Sequence, residues 1–352
     1  GFVVKESPNK PTKMNIDKRI FRAYDIRGIV KTELSPDIVY LIGKAFATKA
    51  VRCGQQDMAV GRDGRLSSKT LRDALISGLI DAGMNVVDVG LVPTPILYYA
   101  TSKLGLGTGI MITGSHNPPE YNGLKMMVAG NTLAGDEIAE LYEIIVNNDL
   151  LNGSGMVKNL VLDNTYKEEI QKDITLERQI KVVVDCGNGA ASNIAPRLLE
   201  GLGCKVIPLY CRVDGTFPNH HPDPADPDTL KDLQNTVKQH EADIGIAFDG
   251  DGDRIGVVTE KGGIIWPDRL MMLLAESIIS RNPSTPIIYD VKCSRNLEKV
   301  IEDKGGVAIM CKTGHSHIKA KMKETGALLG GEFSGHICIA ERWLPFDDAI
   351  YA

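Results

Sequence analysis

Three consecutive, related α/β domains, each with a mixed sheet flanked by helices, are what this 352-residue sequence predicts. The first observation is a unit written three times: short strand, polar loop, amphipathic helix, glycine, strand. It runs as MAVGRDGRLSSKTLRDALISGLIDAGMNVVDVG from Met58, as KVVVDCGNGAASNIAPRLLEGLGCKVIPLY from Lys181, and as PIIYDVKCSRNLEKVIEDKGGVAIMC from Pro286. Copies spaced like this indicate separate domains rather than one doubly wound sheet. The second observation is that each helix stops at a glycine (Gly83, Gly203, Gly305), where a left-handed cap residue is wanted. The third is that each first strand is a continuous apolar run, as expected for strands covered on both faces. Two segments divide the copies. NNDLLNGSGMVKN (147–159) is rich in Gly and Asn and precedes a helical start at TYKEEIQKDI, and a turn follows at Glu260-Lys261-Gly262-Gly263. The expected domains are 1–157, carrying a serine loop, 158–262, carrying an acidic loop, and 263–352.

Composition narrows the function. A hydrophobic content of 43% with 24% charged residues describes an ordinary globular chain, and a net charge of −5 gives no reason to expect nucleic acid or an anionic membrane as partner. The seven cysteines are scattered, with no C-x-x-C pair, and several lie in apolar runs. They read as reduced, buried thiols of a cytoplasmic protein. No apolar stretch is long enough to span a bilayer, and the opening GFVVKESPNKPTKMN lacks the apolar core of a signal peptide.

In open α/β sheets, ligand groups sit on loops beyond the carboxyl ends of strands. The sharpest such loop lies in IGIAFDGDGDRIGVV, where Asp249, Asp251 and Asp253 alternate with glycines between two apolar strands, Ile244–Phe248 and Ile255–Thr259. Alternate residues of an extended segment face one way, so three carboxylates converge and repel one another. A hard divalent cation with oxygen ligands resolves that repulsion. By the same logic, Asp251→Asn is expected to gain slightly in stability without the metal. An EF-hand is excluded, because the sixth loop position is Arg254 instead of glycine and the flanks are strands.

A second loop, TGSHNPPEYNGLK (113–125), ends an apolar run by presenting Ser115. A nucleophile elbow would read G-x-S-x-G and enter a helix, whereas Thr113, Asn117 and Pro118-Pro119 stand here. His116 is adjacent in sequence, which seldom aligns an imidazole as the serine's base. A serine that carries a phosphoryl group needs no such base. It needs a cation against the phosphate and an open approach for an acceptor oxygen.

FRAYDIRG, TGSHNPPEYNGLK, DGDGDR and GEFSGH, in this order over about residues 21–352, resemble the α-D-phosphohexomutases, nearest to the bacterial phosphomannomutase/phosphoglucomutase group. The resemblance implies an isomerase that interconverts hexose 1-phosphate and hexose 6-phosphate, of mannose or glucose, through a phosphoserine and a hexose 1,6-bisphosphate, which also serves as activator. It maps the phosphoserine onto Ser115. Mg²⁺ falls to Asp249, Asp251 and Asp253, with a phosphoryl oxygen of Ser115 as a further ligand. Arg27, Lys125 and His116 fall among the catalytic groups. Tyr24, Arg254, Lys292, His315 and the run Glu332, Phe333, Ser334, Gly335 and His336 fall among the substrate-binding ones. Sugar phosphates are the implied partners of a monomer or weak oligomer. A phosphoglucosamine mutase, a sugar-phosphate binder without turnover and an esterase are the alternatives.

Other residues are read more plainly. Arg254 either offsets charge or pairs with the aspartates, and His317 packs. Arg62 and Arg65 are candidates to support the serine loop, but exposed arginines are common, so neither is placed among the catalytic groups. His220 and His221 of PNHHPDP are structural. The family's fourth domain is absent, and the sequence ends at PFDDAIYA, where Asp347 or Asp348 would cap a helix with almost no body. A truncated chain is therefore expected.

Overall fold

A computed structural model describes residues 15–352, so the reading of the N-terminal stretch falls, but for Asn15, outside the described residues. The first unit contains β1 (Ile26–Ile29), α1 (Pro36–Arg52), β2 (Asp57–Arg62), α2 (Ser68–Asp81), β3 (Asn85–Leu91) and α3 (Thr94–Lys103). It continues with β4 (Gly109–Ile112), β5 (Tyr121–Val128), β6 (Asn131–Thr132), α4 (Asp136–Val146) and β7 (Val157–Asn159). Its sheet has the order β1-β5-β4-β2-β3-β7, with β6 on β5. The strands β4, β2, β3 and β7 run parallel to one another, while β5 runs antiparallel to both β4 and β1. The Gly/Asn-rich stretch thus ends in a strand: Val157, Lys158 and Asn159 pair with β3 as an exposed edge, without the apolar pattern that marks a buried strand.

The second unit comprises α5 (Asp163–Asp173), β8 (Lys181–Asp185), α6 (Ala195–Gly201), β9 (Lys205–Leu209) and α7 (Lys231–Gln239). It ends with β10 (Ile244–Phe248), β11 (Ile255–Thr259) and β12 (Ile264–Ile265). The sheet order is β12-β11-β10-β8-β9, and β10 and β11 form an antiparallel hairpin that closes at Phe248 and Ile255. The two apolar strands flanking the aspartates fall as the sequence predicts. The third unit comprises α8 (Pro267–Arg281), β13 (Pro286–Asp290), α9 (Arg295–Asp303), β14 (Val307–Cys311), α10 (His315–Thr325), β15 (Leu329–Gly331) and β16 (Ile337–Ile339), with order β14-β13-β15-β16.

All three predicted strand–helix–strand repeats are present as parallel pairs: β2 with β3, β8 with β9, and β13 with β14. Gly83, Gly203 and Gly305 end their helices at φ of 97°, 93° and 91°, the left-handed region that a side chain disfavours. One apolar cluster runs through all three units, with Tyr98 and Tyr99 of α3, Tyr166 of α5, Trp343 and Phe346. Asp348 closes a turn at 349–351 in the manner of a cap, its carboxylate accepting from the backbone N–H groups of Ile350 and Tyr351 at 3.0 Å each. Asp347 does not: it is fully buried and accepts from Lys319 at 3.0 Å. The cysteines are all free thiols, with Cys186, Cys204 and Cys338 buried and Cys53 exposed.

Candidate active site

Strand β4 ends under a network that fixes the serine loop. Asp63, just beyond the neighbouring β2, accepts from Thr113 Oγ1 at 2.8 Å, from the Gly114 N–H at 3.1 Å and from Ser68 Oγ at 2.5 Å. The Ser115 N–H donates in turn to Thr113 Oγ1 at 2.8 Å. Ser115 sits at φ 53°, a left-handed conformation that is uncommon for a residue with a side chain and concentrates at functional sites. This backbone turn aims its hydroxyl out of the first unit and into the second. There Ser115 Oγ donates to Asp249 Oδ2 at 3.2 Å, with His116 Nδ1 3.3 Å away. Burial, with the Arg254, Arg27 and Lys125 cations nearby, pushes the His116 imidazole down to about 2.

The β10–β11 hairpin brings the aspartates together as the alternation predicts. Asp249, Asp251 and Asp253 are wholly buried, and one oxygen from each lies within 4.8 Å of the other two. Asp249 Oδ1 accepts the N–H groups of Asp253 at 3.1 Å and Arg254 at 3.2 Å, which shapes the turn. Lys125 of β5 reaches between the other two, donating to Asp251 Oδ2 at 2.7 Å and Asp253 Oδ2 at 2.6 Å. Thr94 Oγ1 also donates to Asp251, at 2.5 Å. Burial and the neighbouring Asp251 and Asp253 raise the Asp249 carboxyl well above its usual range. Asp251 is lowered, because Lys125 and Thr94 outweigh its burial. Oδ1 of Asp251 and Oδ1 of Asp253 are buried without a hydrogen-bond partner. Orphaned carboxylate oxygens converging beside a third carboxylate are a donor set that fits a hard, oxygen-seeking cation.

The third unit closes the cleft. Glu332, nearly inaccessible, accepts from the Gly314 N–H at 2.8 Å, and the Phe333 N–H donates to Asp290 at 3.0 Å. His336 Nε2 accepts from Arg254 Nε at 3.1 Å, which places the ring proton on Nδ1, 2.7 Å from Asp347. The His315 ring stacks on His336 at 5.3 Å, and burial pushes it well below the usual histidine range. Gly335, at φ 102°, lets the Ile255 N–H reach its carbonyl at 3.1 Å. His315 Nδ1 and Ser334 Oγ are further buried polar atoms without a partner. The second and third units thus hold buried polar atoms without partners, and the Ser115 hydroxyl of the first reaches Asp249 of the second.

Comparison with known proteins agrees with this geometry. Domains I, II and III of the phosphoglucomutase/phosphomannomutase family match residues 18–152, 164–263 and 266–352. The chain belongs to that family. A phosphomannomutase/phosphoglucomutase from Pseudomonas aeruginosa is 57% identical over 333 residues, 95% of this chain and 72% of that protein. The crystal structure of a phosphoglucomutase/phosphomannomutase family protein from Burkholderia thailandensis superposes with a TM-score of 0.94 at 49% identity, covering 96% of this chain and 75% of that one. The fold is shared more distantly with an Aspergillus fumigatus N-acetylphosphoglucosamine mutase solved with glucose 1,6-bisphosphate (TM-score 0.58, 14% identity, 98% of this chain and 72% of that one).

Several phosphohexomutase site residues lie differently from their sequence reading. Arg254 pairs with none of the three aspartates through its side chain, which turns to His336 and to Asp223 at 3.7 Å. Tyr24 spends its hydroxyl on the Thr313 carbonyl at 2.8 Å and lays its ring against His317, so it joins the first unit to the third. His116 does reach the serine hydroxyl, because the left-handed turn at Ser115 folds the next side chain back. Arg27 is buried and donates to the Gly114 carbonyl at 2.6 Å and to Asn117 Oδ1 at 2.5 Å, with Asp25 as its ion partner. Lys292 is exposed on the loop after β13. His220 is structural, bonded to Asp185 at 2.8 Å. Sequence reasoning passed over Asp63 and Lys319, and it read Asp347 only as a possible cap. Arg65, a candidate support for the serine loop, is 2% exposed and donates to that loop's carbonyls.

Proposed function

We propose that this chain interconverts the 1-phosphate and 6-phosphate of mannose or glucose by exchanging a phosphoryl group between Ser115 and the sugar, through a hexose 1,6-bisphosphate. The observation that carries the reading is the Ser115 hydroxyl, delivered by a left-handed turn to 3.2 Å from the first of three converging buried aspartates. Asp249, Asp251 and Asp253 would hold Mg²⁺. When bound, that ion supplies positive charge against the transferring phosphoryl oxygens.

The chain's own groups do the rest. Arg27 clamps the Gly114 carbonyl and the Asn117 side chain, which fixes the approach to Ser115. Lys125 is the buried counter-charge of the carboxylate cluster. Burial works against its ammonium, but Asp251 and Asp253 hold it well above the usual lysine range, so it stays charged. On this reading Glu332, Ser334, His315 and the exposed Lys292 would meet the sugar from the third unit. A carboxylate, a hydroxyl and an ammonium there match vicinal sugar hydroxyls and a distal phosphate.

The close Ser115–His116 contact favours an esterase reading, but an imidazole held down to about 2 is a poor general base at neutral pH. Incubation with ³²P-labelled hexose 1,6-bisphosphate and Mg²⁺, followed by peptide mapping, tests the proposal. Label on the Ser115 peptide, lost in Ser115→Ala together with mutase activity, is the expected result. Label elsewhere, or irreversible capture of Ser115 by a fluorophosphonate, would overturn it.

A further inference from the structure

We infer that Arg65 is a positioning residue for phosphoryl transfer: its buried guanidinium sets the carbonyl side of the Ser115 loop and, through Phe217, the spacing between that loop and the aspartates. The inference rests on the phosphoserine reading of Ser115.

The guanidinium spends its donors on one loop. Nη2 donates to the carbonyls of Ser115 at 3.1 Å and Asn117 at 2.7 Å, and Nη1 to those of Pro118 at 2.6 Å and Tyr121 at 3.1 Å. Arginine is the one side chain whose rigid planar fork reaches four carbonyls at once; a lysine ammonium is a point donor. The loop needs such a donor, because two of its residues are prolines without an N–H. A non-glycine residue at φ 53° persists only where its surroundings over-determine it. The Ser115 carbonyl, held by Arg65 on one side of that residue, and its N–H, held by Thr113 on the other, supply that constraint.

The socket is shaped for this group. A Cβ on Gly114 would lie 2.2 Å from Arg65 Cζ, so the loop leaves out a side chain where the guanidinium lies. Asp63, which already holds Thr113 and Gly114, stands 3.3 Å from Arg65 Nε.

The second unit packs on the same group. Arg65 Cζ lies 5.1 Å from the centre of the Phe217 ring, within cation–π range. Beside it, a Cβ on Gly64 would meet Val213 at 2.3 Å, and one on Gly215 would meet the Leu66 N at 2.6 Å. The 3.2 Å gap between Ser115 Oγ and Asp249 crosses the same boundary between units. Arg65 therefore holds the loop that carries Ser115 and also bears the second unit's loop against it. It acts through the loop backbone and through Phe217.

The test uses Arg65→Lys, Arg65→Ala and Phe217→Leu beside the parent and Ser115→Ala. Melting temperature and circular dichroism report folding, and steady-state kinetics on mannose 1-phosphate separate kcat from KM. Misplacing a reacting group by about 1 Å lowers rates by about a hundredfold. Arg65→Lys should therefore fold, lose about a hundredfold in kcat and keep KM within a few fold, with Phe217→Leu showing a smaller loss of the same kind. Millimolar guanidinium should restore part of the kcat of Arg65→Ala, whereas methylammonium should not. If Arg65→Ala fails to fold, Arg65→Lys and Phe217→Leu decide. A parental kcat in folded Arg65→Lys, or a loss matched by the unfolded fraction alone, overturns the positioning role. Undiminished activity in Ser115→Ala would instead overturn the phosphoserine reading.

Discussion

Replacing Gly250 with alanine should separate Ser115 from the carboxylates without touching either. Gly250 lies between Asp249 and Asp251, and a Cβ there would sit 2.2 Å from the Ser115 carbonyl oxygen. Real Cβ atoms essentially never come closer than 3.0 Å, so the serine loop and the acidic loop must part by at least 0.8 Å. The obstacle is backbone, which Arg65 and Thr113 already hold, so no side chain can swing aside. The 3.2 Å contact between Ser115 Oγ and Asp249 then opens towards 4 Å. An ångström-scale misplacement of reacting groups lowers the rate by about a hundredfold, or about 2.7 kcal/mol of barrier. Overpacking of this kind lowers stability by about 1–3 kcal/mol. Single-turnover transfer from labelled hexose 1,6-bisphosphate to Ser115, read beside urea unfolding, separates the two effects. Transfer within threefold of the parent rate in a folded Gly250→Ala chain would show that the spacing of the two loops does not govern the chemistry.

Three further outcomes are expected. Asp251→Asn removes one of the two carboxylates that neutralise buried Lys125, so it should lower metal-free stability by about 1–3 kcal/mol and weaken divalent-cation binding, measured by urea unfolding and calorimetry. His116 is held down to about 2 by burial and nearby cations, so the folded chain keeps it neutral while the unfolded chain protonates below about pH 6.5. Its contribution to stability is therefore present above pH 6.5 and lost on acidification, by about 1.4 kcal/mol per pH unit. The gap between the parent and His116→Asn unfolding free energies should change by about 2 kcal/mol between pH 7 and pH 5. Tyr98 buries a hydroxyl without a hydrogen-bond partner, so Tyr98→Phe should unfold at equal or higher urea concentration, with a gain of up to about 1 kcal/mol.

The features legible in sequence were those written in local pattern. The hairpin at 244–259 could be read residue by residue, because two apolar runs flank a turn of alternating Asp and Gly, and the three glycine-stopped repeats gave the units. The convergence of the aspartates followed from their period alone. Their charge balance did not. Lys125 enters from β5, more than a hundred residues away in sequence, and turns the expected gain for Asp251→Asn into a loss. Arg65 could be read only as a possible support for the serine loop, because its partners are backbone carbonyls at 115–121, and carbonyls carry no residue-specific signal. Tyr24 was read among the substrate-binding groups, and only the packing of the third unit on the first shows that its hydroxyl is taken by the Thr313 carbonyl. Asp347 and Asp348 were equal candidates for a helix cap; Asp348 instead closes a turn at 349–351 while Asp347 serves Lys319 and His336, a distinction that lies entirely in the tertiary structure.

The aromatic cluster at the meeting of the three units gives the chain an internal optical probe. Trp343 stacks on Tyr99 of the first unit at 5.8 Å and on Tyr351 at 5.0 Å, and meets Tyr166 of the second edge-on at 5.8 Å, while its Nε1–H donates to Asp348 at 3.1 Å. The sequence holds only one other tryptophan, Trp266, which stacks with Phe333 of the third unit's 332–336 loop. In a Trp266→Phe background, a red shift in emission would report water entering where the units meet. In a Trp343→Phe background, the remaining signal would follow the loop at Phe333. Two single-tryptophan chains would thus time the parting of the units and the movement of the 332–336 loop independently, without any added label.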